Sequence, residues 1–188
     1  MGKGSKMALY QPLTLLDLVV YDKENSGLQR ISEAKLQVAH QRIPFEISRT
    51  SIALFVTEVI NRSIYENYQN ESLFDFLFQS VLVLDQADAA LSHFPLVFLM
   101  ENAAYLGFAP DYAEGYILES KNQPFVGEAL SQTLDYLKIL LKEGYDCRAK
   151  VPVTVRRKLL DHLLDFYGEQ LDNPNPLKSL TVIRQVME

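Results

Sequence analysis

The sequence has almost no cysteine. Its 188 residues hold one, Cys147, which excludes an internal disulfide and any zinc site built from several cysteines. A reducing, cytoplasmic setting is the expectation that follows. Long apolar runs are missing too: "FPLVFLM" at 94–100 is the longest candidate and far too short to span a bilayer. Lys3 and Lys6 are followed by no long apolar stretch and no small-residue cleavage site, so neither a signal peptide nor a membrane partner is expected. No glycine-rich phosphate loop is present, because "GKGSK" at 2–6 lacks the spacing and the preceding strand. Histidine is sparse: His40, His93 and His162 stand singly, each expected at a surface or boundary rather than as a ligand. What remains is ordinary for a folded chain, 48% hydrophobic and 22% charged, and long enough for one good core.

The net charge of −6 conceals an asymmetry. Residues 147–160 carry Arg148, Lys150, Arg156, Arg157 and Lys158 with no acid among them, so the rest of the chain is strongly acidic. A basic run on such a background either serves an anionic partner or merely solubilises a helix end. It straddles a loop and a helix start, where backbone N–H groups already favour anions. Tyr145 and Tyr167 are expected to flank it, and basic charge beside aromatics suits single-stranded nucleic acid or an acidic peptide tail.

Periodicity divides the chain in two. "LYQPLTLLDLVVY" at 9–21 reads as a strand that is apolar on both faces, "DKENSG" as a turn, and "LQRISEAKL" as a more polar returning strand. A connector with Pro44 follows. From Ser48 the period is helical, with Ile52, Phe55, Val56, Val59, Ile60 and Ile64 in one stripe. Asn70 or Ser72 caps a second helix that is apolar nearly all round and so is expected to be central. A third opens at Ser92 and Pro95 and closes at Gly107 before Pro110. "YILE" and "QPFV" suggest a small hairpin. A fourth helix ends on Gly144, Thr154 caps a fifth with Leu159, Leu160, Leu163, Leu164 and Tyr167 inward, and a short last helix closes the chain. The expected fold class is mainly α: five or six helices preceded by a β-hairpin.

Catalytic constellations are weak. Asp161, His162 and Asp165 in "DHLLD" have spacing for a divalent metal and would define a metal-dependent hydrolase. The same spacing describes a solvated face paired with Arg157 and Lys158. Cys147 beside Arg148 has a basic neighbour but no nearby histidine, and reads as a spectator. A structural helical adaptor is the remaining alternative.

Taken in order, the segments resemble a known family. "GKGSKMALYQPLTLLDLVVYDKENSGLQRISEAK" resembles the end of the oligonucleotide-binding (OB) barrel of the bacterial recombination mediator RecO, down to Leu28–Ile31, Glu33 and Ala34. The likeness continues through Thr50–Phe55, Phe94–Pro110 and the late "LKSL" at Leu177–Leu180, covers essentially the whole chain, and is closest to the zinc-free Bacteroides-type variety. The resemblance implies a partial OB-fold over 1–38, the last strands of a five-stranded barrel, and a RecO-type helical domain over 39–188. It implies that further strands lie upstream, so that the chain is expected to be a fragment or a late-start reading frame. Many relatives carry a four-cysteine zinc site near 108–128; no cysteine stands there, so neither zinc nor another cofactor is expected. It further implies a non-enzymatic role in recombinational repair: binding single- and double-stranded DNA, RecR and the acidic, Phe-ended tail of single-stranded-DNA-binding protein, with annealing and recombinase loading as the outcome. Such a tail needs an apolar pocket rimmed by cations, for which Arg156, Arg157, Lys158, Lys178 and Arg184 are candidates, with Arg148 and Lys150 in the same basic surface. Lys3 and Lys6 are the candidates for phosphate contacts.

Overall fold

The structure, a computed structural model, describes residues 9–23, 28–65, 68–172 and 177–187. Lys3, Lys6 and the tip of the hairpin turn lie outside the described residues.

Two strands, β1 (Leu16–Tyr21) and β2 (Arg30–Leu36), pair antiparallel, and among the described residues no other strand joins them. The register sets Leu16 opposite Leu36 and Leu18 opposite Ala34, then slips by one residue between Val19 and Val20 so that Val20 faces Ile31. Side chains alternate across a strand. The ribbon therefore collects Leu16, Leu18, Val20, Ile31, Ala34 and Leu36 on one face. Asp17, Val19, Tyr21, Arg30, Glu33 and Lys35 take the other, so β1 is largely apolar on both faces, as its composition suggests, but Val19 and Tyr21 are exposed rather than buried. Leu18, Val20, Ile31 and Leu36 are all exposed.

The connector is tied down by one carboxylate. Asp85, at the end of the second helix, accepts the backbone N–H groups of Gln41, Arg42 and Ile43 at 2.7, 2.9 and 2.8 Å. Burial raises its pKa, but the amides of Gln41, Ile43 and Arg42 more than offset that, leaving it below the usual carboxylate range. A folded-state pKa below the unfolded one adds stability that is complete above about pH 4 and is lost as pH falls through the folded value. Asp85→Asn should therefore cost about 2 kcal/mol at neutral pH, because one amide oxygen replaces a charged acceptor of three donors. Urea midpoints for the two proteins should converge as pH drops below about 4; a constant gap would show that the charge of Asp85 is irrelevant.

Seven α-helices are present among the described residues: α1 (Ile47–Ser63), α2 (Glu71–Asp85), α3 (Phe94–Leu106), the single turn α4 (Gly115–Leu118), α5 (Gly127–Glu143), α6 (Val153–Gln170) and α7 (Leu180–Val186). The stripe expected on α1 buries Ile52, Phe55, Val56 and Val59. Asn70 caps α2, its side-chain oxygen accepting from the Leu73 N–H at 2.9 Å. The central helix, however, is α3 rather than α2. Every residue from Phe94 to Met100 is buried, and α1, α2, α5 and α6 all pack on it. Gly107 closes α3 at φ +83°, a left-handed conformation that glycine adopts without a Cβ penalty.

Three further expectations change. The hairpin proposed around 116–126 does not form: Tyr116 and Ile117 are consecutive and both buried, in a helical turn. A Cβ on Gly115 would stand 2.4 Å from Pro110 Cβ, so the backbone approaches too closely for any other residue. Thr154 lies inside α6, whose N-cap is Pro152. And two of the histidines are core residues, not surface ones. His93 Nδ1 is 2.6 Å from the Tyr136 hydroxyl and His162 Nε2 is 2.8 Å from the Tyr116 carbonyl. Burial, then the charges of Arg156 and Arg148, hold His93 below the ordinary histidine range and keep it neutral.

Candidate partner-binding surface

The basic run begins in the loop before α6 and continues into its first turns. Its charges are mostly spent inside the fold. Arg156 is only 7% exposed. Its guanidinium donates to the Val151 carbonyl and, at 2.6 Å, to the Met187 carbonyl. Arg157 Nε donates to the Arg184 carbonyl at 2.7 Å. Arg184 in turn pairs with Asp161, 2.7 Å from Nη2 to Oδ1. The last carbonyls of a helix have no intrahelical partner and carry the negative end of its dipole. Two of the acceptors, Arg184 and Met187, lie in the last turn of α7 and just beyond it. The run thus clamps the end of α7 onto α6, and Arg156 is an internal residue, not one at the rim of a surface pocket.

The remaining members have mixed roles. Lys158 donates to the Pro124 carbonyl at 2.8 Å and sits 4.9 Å above the Phe125 ring, fastening the 120–126 loop. Arg148 bridges the Tyr145 and Cys147 carbonyls and reaches Asp88 O at 2.9 Å. Lys150 and Lys178 are exposed and have no ion pair among the described residues. Tyr145 and Tyr167 do not frame a surface. The Tyr145 hydroxyl is 2.8 Å from Ser80 Oγ, and Tyr167 donates to the Leu99 carbonyl at 2.6 Å, deep against α3.

Two concavities adjoin α7. One, of about 550 Å³, lies between α1, α6 and α7, and its walls set Asp161, Asp165, Glu169 and Asp172 against Arg62, Lys121 and Arg184. That balance disfavours an anion. The other is a groove of about 590 Å³ along α1 and the start of α7. Leu54 and Val182 line it and are about half exposed, with Lys178 and Arg62 beside them. Its one carboxylate, Glu58, is occupied: it pairs with Arg62 at 2.8 Å and accepts the Lys178 and Ser179 N–H groups at 2.8 and 2.9 Å. Sequence reasoning missed Arg62 and Glu58, whose only signal was an i,i+4 spacing.

The three residues of the hydrolase alternative are not brought together. His162 points into the core, with its ring against Phe125 at 5.4 Å between centroids, and Asp161 is held by Arg184. Among the described residues no cluster of three His, Cys, Asp or Glu side chains has the geometry to hold a metal. Cys147 is buried, and burial pushes its thiol pKa up, away from the reactive thiolate. Among the described residues no helix is long and apolar enough to cross a membrane.

Comparison with known proteins adds the rest. A family model described as "Recombination protein O C terminal" matches residues 44–181. The chain is 35% identical to the DNA repair protein RecO of Flavobacterium johnsoniae over 191 residues, covering 97% of this chain and 80% of the relative. It is 31% identical to the protein of the same name from Phocaeicola vulgatus, over 96% and 80%. For that of Bacteroides fragilis the figures are 30%, 97% and 81%. No solved structure matches the chain.

Proposed function

The chain belongs to the RecO family, and on that premise we propose that it serves DNA repair as a non-enzymatic recombination mediator. In this reading it binds DNA and RecR, docks the acidic, Phe-ended tail of single-stranded-DNA-binding protein, and promotes annealing and recombinase loading. Residues 1–38 are its partial OB-fold segment and residues 39–188 are its helical domain. One observation carries the tail-docking part: the groove between α1 and α7 joins exposed Leu54 and Val182 to Lys178, a cation at its mouth with no ion pair among the described residues. An aromatic end fits the apolar wall, and a carboxylate-rich stretch fits the lysine. Lys150, Arg148 and the lysines at 3 and 6 supply the phosphate contacts.

A fluorescein-labelled acidic peptide ending in phenylalanine tests this directly. Lys178→Glu should weaken its binding about tenfold, or about 1.4 kcal/mol, and reduce the dependence on salt. Reversal of Arg156 is not a useful probe, because its charge holds α7. Unchanged affinity in Lys178→Glu would remove the groove from consideration.

A further inference from the structure

One stretch of the chain has no cation at all. From Ser63 to Ser120 there is no lysine or arginine, while Glu66, Glu71, Asp75, Asp85, Asp88, Glu101, Asp111, Glu114 and Glu119 are present. The single histidine in it, His93, is buried and held neutral. Helix α2 lies wholly within this stretch, and its outer face is apolar. Phe74 is 64% exposed, and its ring lies 6.3 Å from that of Phe78, one turn on. Leu82, a further turn along, is only partly covered. Residues four apart share a helix face. Glu71 and Asp75 fall on that face too, both exposed. The opposite face of α2, with Leu73, Phe76, Val81 and Leu84, already packs in the core.

A large aromatic left in water loses the stabilisation that burial gives, so a stripe of this kind marks an interaction surface. The charge beside it decides the occupant. Base stacking also uses exposed aromatics, but the charges on this face of α2, Glu71 and Asp75, would repel phosphates. A second copy of the same face would set Glu71 and Asp75 against their own kind. We propose that the Phe74–Phe78–Leu82 face of α2 docks a basic, apolar-anchored protein segment, an amphipathic helix with lysine or arginine flanking leucine or an aromatic. This surface is distinct from the α1–α7 groove and opposite to it in charge. The proposal is therefore independent of tail docking, and either can fail alone.

The full chain is titrated with a labelled helical peptide of leucine and lysine, with its leucine–glutamate counterpart, and with a single-stranded oligonucleotide as controls. The Leu/Lys peptide should bind, and salt should weaken it. Phe74→Ser with Phe78→Ser should weaken it at least about tenfold, and Asp75→Lys several-fold. Phe74 is exposed and Phe78 half-buried outside the core, so the fold should survive, and unchanged urea midpoints will confirm that. Equal binding of the Leu/Glu peptide, undiminished binding by the serine variant, or competition by the oligonucleotide at this face would each overturn the proposal. So would concentration-dependent self-association that the serine variant abolishes, which would make a second copy the occupant.

Discussion

Phe98→Ala should lower the unfolding free energy by about 3–5 kcal/mol. Phe98 is fully buried at the middle of α3, the helix on which four others pack. Its ring stacks on Phe76 of α2 at 5.6 Å, and Phe76 stacks on Tyr105 at 4.8 Å, a three-ring ladder joining α2 to α3. Truncation removes the apolar contact and the aromatic pairing, and neighbours held on several sides cannot collapse into the space left. For a chain of this size each kcal/mol corresponds to roughly 2–4 °C in melting temperature, so a drop of about 10 °C is expected. Phe98→Leu, which keeps most of the volume, should lose much less. A loss in Phe98→Ala below about 1 kcal/mol in urea unfolding would mean that α3 is not the keystone.

How much of this was legible follows from where each residue finds its partner. Gly107 before Pro110, Asn70 before α2 and the apolar stripe of α1 are local signals, and the structure uses each of them. The centre of the core is not legible in the sequence, because α2 and α3 are both apolar nearly all round. Only the packing decides that Phe74 faces solvent while Phe94 through Met100 do not. The turn at 115–118 has strand-like residues, but Gly115 is pressed against Pro110, a close approach of backbone that strand propensity does not register. His93 and His162 depend on Tyr136 and Tyr116, both more than forty positions away, so nothing beside them in the sequence marks them as core. The basic run was visible as charge. Its use was not, because the acceptors are backbone carbonyls of α7, and carbonyls have no signature in composition.

Arg156→Met should therefore cost about 3 kcal/mol in stability while removing nothing from the surface. Methionine keeps an apolar stem of similar reach but donates no hydrogen bond. It leaves the Val151 and Met187 carbonyls without their guanidinium, and a buried acceptor stripped of its partner costs about 1–3 kcal/mol. The seven residues of α7 are too few to be helical alone, so α7 relies on this clamp, on the contact of Arg157 with the Arg184 carbonyl, and on Glu58 at its start. In Arg156→Met, amide hydrogen exchange should show α7 losing protection before the other long helices. Arg156→Lys should recover only part of the loss, since a point charge does not reproduce a fork that reaches two carbonyls. Lys150→Glu and Lys178→Glu, which change exposed cations of the same two regions, should stay within about 0.5 kcal/mol of the parent. That contrast separates the arginines that finish a helix from the exposed lysines, whose charge the fold does not need. If Arg156→Met instead melts with the parent and loses anion binding, the clamp is not what the arginine is for.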